Sequence, residues 1–126
     1  MSAQERDLII GQILPEIFFQ EENILEIEHF QNLVLRKILK FQNDLILKLF
    51  YQFVTDFRVD LNSLNSFGKR KKISELLKTN IQLKQTMLGV VLGLFTQENL
   101  DFYAIHKKEL NKRIVNLLIE RISSQA

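Results

Sequence analysis

The stretch NILEIEHFQNLVLRKILKFQNDLILKLFYQFVTDF, residues 23–57, decides the fold: it contains neither Pro nor Gly and its apolar residues recur at helical spacing. Asn23 followed by Glu26 offers an N-terminal cap, and the pattern then predicts one helix over about residues 24–57. Such a helix would run about 51 Å at 1.5 Å per residue, against a globule of this size only about 36 Å across, so it must bend, break or project. Placed at 100° steps, Val34, Leu35, Ile38, Leu39, Phe41, Leu45, Ile46, Leu49, Phe50 and Phe53 occupy one broad arc. An apolar face that wide fits a central helix with neighbours on two sides.

Outward from it, punctuation is sparse, with one Pro and four Gly in 126 residues, which argues against strands and their turns. Upstream, Ser2 and Glu5 form a potential capping box for a helix through Leu8, Ile9 and Ile13, which Pro15 should end or kink. Downstream, Asp60, Asn62, Ser63, Asn65, Ser66 and Gly68 predict a loop between Arg58 and Lys72, closed by the basic run Lys69, Arg70, Lys71 and Lys72. A third helix is expected over 73–78, a fourth after Asn80, and another opened by Thr96. The last should pack by Leu110, Ile114, Leu117, Leu118 and Ile122, leaving Lys108, Lys112, Asn116 and Glu120 outside. The expected architecture is all-α: a bundle of four to six helices around one long central helix (about residues 24–57), in a single domain 1–126.

Composition narrows the functions. With 46% apolar and 25% charged residues the chain should fold around a core. The absence of cysteine removes thiolate metal sites, iron–sulfur clusters and a cysteine nucleophile. The net charge of +2 hides an asymmetry: residues 1–30 carry seven acidic groups against Arg6, while the other 96 carry sixteen basic and eight acidic. That can serve intramolecular docking, head-to-tail association or an anionic partner. The polar start and the nine-residue limit of the longest apolar run, Met87 to Phe95, predict a cytoplasmic protein with no membrane span.

Few constellations suggest chemistry. Phe30-Gln31-Asn32 recurs as Phe41-Gln42-Asn43 eleven residues on, three helical turns to within about 20°, so Gln31 and Gln42 are expected to face the same way. They are either satisfied core amides or a polar layer that sets helix register or lines a ligand pocket. Gly89 and Gly93 suggest close internal packing, or failing that a subunit contact. The basic run 69–72 followed by two short helices has the outline of a helix-turn-helix, but the turn at Thr79-Asn80 has no glycine and only Gln82, Lys84 and Gln85 could read bases. Glu26-x-x-His29 is half of a di-iron carboxylate motif whose other half is missing, so no metal is expected. No phosphate-loop, dinucleotide, serine-hydrolase or zinc-protease motif occurs, no cofactor is implied, and catalysis is not expected.

His29 to Asp44, the corner Gly93-Leu94-Phe95-Thr96, and Asn111-Lys112-Arg113-Ile114 with Ile119-Glu120-Arg121 together resemble a family of short uncharacterised all-helical bacterial proteins. The resemblance implies that the amide repeat and the Gly-Leu-Phe-Thr corner are motif positions. Some members of that family carry a glyoxalase label. Glyoxalases are paired βαβββ modules with His and Glu metal ligands, whereas this sequence predicts no strands and has two isolated histidines.

The expectation is therefore a small interaction or assembly protein, self-associating as a homodimer and possessing a protein partner. The alternative is a binder of nucleic acid or another polyanion through Lys69, Arg70, Lys71 and Lys72, against which the acidic first thirty residues argue. A third is a ligand binder or enzyme with an inter-helix pocket that would use Gln31, Gln42 and a neighbouring Arg36 or Tyr51. Because the shorter helices leave much of the long one uncovered, Phe50 and Phe53 are expected on a dimer surface.

Overall fold

The computed structural model describes residues 1–14 and 26–126, and the expected cap at Asn23 and stop at Pro15 lie outside them. The described elements are helical: α1 (Ala3–Ile13), α2 (Glu26–Phe30), a π-helical turn (Gln31–Leu35), α3 (Arg36–Phe41), α4 (Asn43–Asp56), α5 (Ser66–Thr79), α6 (Ile81–Leu92), α7 (Gln97–Ile105) and α8 (Lys107–Gln125). The fold is all-α, and with α2 to α4 counted as one interrupted rod it sits at the upper end of the expected range of helices.

The rod is not one regular helix. The π-turn adds a residue to the ladder between Gln31 and Leu35, and at Gln42 the backbone leaves the α region (φ −88°, ψ 5°). It keeps its bonds on both sides, Gln42 N–H to Ile38 and Ile46 N–H to Gln42. The apolar arc is only partly covered. Leu35, Ile38, Leu39, Ile46, Phe50 and Phe53 are buried, whereas Phe41 and Leu45 stand 46% and 45% exposed. The placement of Phe50 and Phe53 on a dimer surface is thus corrected, since both are buried within one chain by α6 and the other core helices.

Helix α8 shares the centre. It buries Val115 and Ile119 besides the expected Leu110, Ile114, Leu117, Leu118 and Ile122, so it is flanked on two sides and not along one stripe. Its most extensive packing is against α5. The outer ridge Lys108, Lys112, Asn116 and Glu120 is exposed as the spacing predicts.

The helix ends follow from local chemistry. Ser2 and Glu5 make the capping box of α1, and Thr96 makes one with Asn99 at α7. Helix α4 ends in a Schellman motif: Val59 N–H reaches Val54 O and Arg58 N–H reaches Thr55 O, with Arg58 at φ 52° where glycine is usual. In the following loop Asp60 accepts from Ser63 N–H at 3.3 Å. The Ser63 hydroxyl and then its amide hold the Asp60 carboxyl below the ordinary aspartate value.

Two expectations fail here for one reason. Asn65 is an N-cap, accepting from Gly68 N–H at 2.8 Å, so α5 starts at Ser66 and not at Ile73. The basic run 69–72 therefore stands within a helix and not at a loop edge. Gly68 is a breaker in the sequence pattern, yet a Cβ there would sit 3.3 Å from both Asn65 Oδ1 and Leu64 Cβ, so its smallness lets the cap close.

Candidate functional site

The amide repeat resolves into two separate anchors. Gln42 Nε2 donates to Val90 O at 3.2 Å, while Gln31 Oε1 accepts from Arg113 Nη1 at 3.2 Å. One reaches α6 and the other α8, so the expected common direction is corrected: the extra residue of the intervening π-turn rotates the downstream part of the rod by about 100°. Val90 O lies in the last turn of α6, where carbonyls lack helical partners, and Gln42 supplies one.

The same end of α6 receives α1. Arg6 donates from Nη2 to Gly93 O at 2.6 Å and from Nη1 to Phe95 O at 2.7 Å. Asp7 accepts from Gln97 N–H at 3.3 Å and from Gln97 Nε2 at 3.2 Å, at the first turn of α7. A cation thus meets a helix C-terminus and an anion a helix N-terminus, the favourable sense at each dipole. Close internal packing at the glycine pair is not found: a Cβ on Gly89 would meet nothing within 4 Å, and one on Gly93 would meet Gly89 O of its own helix at 3.2 Å.

Hollows flank α8 on both sides. Between α8 and the rod, a cleft of about 450 Å³ is lined by Arg36, Leu39, Leu117, Glu120, Arg121, Ser124 and Gln125. It continues into one of about 300 Å³ that adds Gln31, Glu109, Lys112, Arg113 and Asn116. Asn43 closes the far end, pairing reciprocally with the Gln125 amide at 3.0 and 2.9 Å and accepting from Arg121 Nη1 at 3.1 Å. Partial burial, and then the charge of Arg36, lowers the affinity of Arg121 for its proton below that of an ordinary guanidinium. Arg113 is paired with Glu109 at 3.0 Å; among the described residues neither Arg36 nor Arg121 is in an ion pair.

On the other flank, a cleft of about 510 Å³ lies between α5, α6 and α8, lined by Lys78, Lys84, Lys108, Asn111, Lys112, Val115 and Asn116. Three helices bring four lysine side chains to the lining of one space, with no carboxylate among them. Among the described residues none of these four lysines is ion-paired. The cap of α6 fixes two of them: Asn80 accepts from Leu83 N–H at 3.0 Å, setting Lys78 before the corner and Lys84 just after it. Lys108 and Lys112 are one turn apart on α8. Lys112 and Asn116 line the hollows on both flanks, so the two adjoin over the ridge of α8, with Glu109 and Glu120 in the lining on the rod side only.

The run expected to carry an anion makes no such focus. Four successive helical residues step through about 300°, so Lys69, Arg70, Lys71 and Lys72 cannot share a face, and Lys72 pairs with Glu75 at 3.5 Å. Helices α5 and α6 meet at Asn80 alone, shorter than the turn of a helix-turn-helix. Of the residues expected to read bases, Lys84 lines the lysine cleft, Gln85 lines the hollow beside it, and Gln82 is exposed. Sequence reasoning does not single out Lys78, Lys108 or Lys112 as site residues, although Lys108 and Lys112 at i and i+4 carry a helical signal.

Glu26, His29 and Glu98 line a small cleft with Phe30 and Phe102, but among the described residues no group of three His, Asp or Glu side chains is placed to hold a metal ion. No described helix is long and apolar enough to cross a membrane. No family model, no curated protein and no solved structure matches the chain.

Proposed function

We propose that this chain is an interaction protein that acts by binding a phosphate-rich polyanion along α8. The observation that carries this reading is the convergence of Lys78, Lys84, Lys108 and Lys112, unpaired among the described residues, on one cleft without a carboxylate in its lining. Like charges brought together by three helices repel one another, and an anion relieves that repulsion while the cleft concentrates the field. Across the ridge Arg36 and Arg121, in no ion pair among the described residues, add positive charge beside Glu120. From Lys108 to Arg121 α8 runs about 20 Å.

Within this proposal the compartment is the cytoplasm. Self-association is part of it too, through Phe41 and Leu45, the exposed neighbours on α3 and α4.

The test is equilibrium binding of long-chain inorganic polyphosphate. The parent should bind at 50 mM salt, and Lys84→Ala/Lys108→Ala/Lys112→Ala should bind at least tenfold more weakly with an unchanged circular dichroism spectrum. Replacement of Lys69, Arg70, Lys71 and Lys72 by Ser should leave affinity within about threefold. Equal affinity of the parent and the triple variant would place the anion elsewhere and overturn the reading.

A further inference from the structure

Beside the lysine cleft lies a second hollow, of about 270 Å³, between α6, α7 and α8, and its lining is of another kind: Leu88, Gly89, Leu92 and Tyr103 with Gln85, Lys107 and Asn111. Leu88 and Tyr103 are buried and form an apolar floor, while Gln85 is exposed at the rim. Asn111 lines both this hollow and the lysine cleft. Its Oδ1 is taken by the Tyr103 hydroxyl, which fixes the amide and leaves Nδ2 as a donor with no partner among the described residues.

Building on the polyanion reading above, we infer that the polyanion is single-stranded nucleic acid and that this hollow takes one of its bases while the four lysines hold the adjoining phosphates. A planar, apolar-faced ring with polar edges fits an apolar floor rimmed by two amides, whereas a base-free polyanion has nothing to place there. Duplex bases are stacked and paired, so only an unstacked strand presents a face to a side pocket while its backbone follows the cations. Gly89 is part of the fit: a Cβ there meets nothing within 4 Å, so position 89 opens into the hollow and a longer side chain would occupy it.

The test separates the base from the charge. Gly89→Leu replaces a helix-interior glycine with a better helix former and touches no neighbour through its Cβ, so the fold should hold. By fluorescence anisotropy at 100 mM salt, a mixed-sequence 12-nucleotide single strand should bind the parent at least fivefold more tightly than it binds Gly89→Leu, while long-chain polyphosphate binds both within twofold. An abasic strand of the same length should bind the parent more weakly than the intact strand and be indifferent to Gly89→Leu. If polyphosphate binds the parent but Gly89→Leu leaves the strand's affinity unchanged, or if duplex binds as tightly as the single strand, the base pocket is refuted and the charge reading stands. If polyphosphate itself fails to bind the parent, the charge reading falls and takes this inference with it.

Discussion

Gln42 shows how one amide can be legible as important and still be misdirected by sequence. Its recurrence with Gln31 marks both as polar positions on an apolar helix, and both do find partners. Their directions depend on a π-turn that no residue between 31 and 35 announces. Because Gln42 satisfies an end carbonyl of α6, Gln42→Leu should cost about 1–2 kcal/mol in urea denaturation, with helical content intact. No loss, or a gain, would make the bond to Val90 dispensable. Arg58 poses the opposite case, a side chain where the backbone wants none. Arg58→Gly removes the left-handed penalty at the Schellman motif and should stabilise the chain by up to about 1 kcal/mol after the added freedom of the unfolded state. Ser123 Oγ is buried without a partner among the described residues, so Ser123→Ala should be neutral or stabilising by up to about 1 kcal/mol in the same assay.

Helix boundaries set by side-chain caps are readable in the sequence, and those set by backbone geometry are not. Ser2, Asn80 and Thr96 cap where their residue types and spacing say they should. Asn65 does the same work, but Gly68 and the surrounding polar residues disguise it as part of a loop, which displaces the basic run from helix to loop edge. The docking of α1 is not legible in the charge imbalance, since Arg6 reaches backbone carbonyls and Asp7 the amides of Gln97, and among the described residues neither pairs with a charged group outside α1. The apolar side chains Leu8, Ile9 and Ile13 remain 70%, 43% and 42% exposed, so the bonds of Arg6 and Asp7 carry much of the attachment. Arg6→Ala should therefore speed amide exchange across residues 3–13 by at least tenfold and leave α8 protected. Unchanged protection in α1 would mean that Ile10, its buried apolar residue, holds the helix without the clamp.

Across the whole molecule, fold class follows from the scarcity of Pro and Gly and from the apolar spacing. The candidate site does not, because it is assembled from elements far apart in the chain. Lys78 and Lys84 meet Lys108 and Lys112 only once α5, α6 and α8 have packed, and no short window of sequence contains that coincidence. The prominent run 69–72 is local in sequence and dispersed in space, whereas the lysine cleft is dispersed in sequence and focused in space. The burial of Phe50 and Phe53 takes self-association off those two residues, and the proposal puts it at Phe41 and Leu45. Sedimentation at micromolar concentration should give about twice 14.9 kDa, and Phe41→Asp should shift it toward the monomer. A parent that sediments as a monomer would remove the dimer from the proposal.

The salt dependence of single-strand binding is the most direct measurement of the central claim. Each phosphate neutralised by a cation contributes about −0.7 to the slope of log K against log salt for a single strand. If four lysines act together, the parent should show a slope of about −2.8 or steeper between 50 and 200 mM salt. Lys84→Ala/Lys108→Ala/Lys112→Ala should then be shallower by about 2, with Lys69, Arg70, Lys71 and Lys72 replaced by Ser leaving the slope unchanged. A slope near zero in the parent, or one lost on replacing 69–72 and kept without the three cleft lysines, would contradict the account.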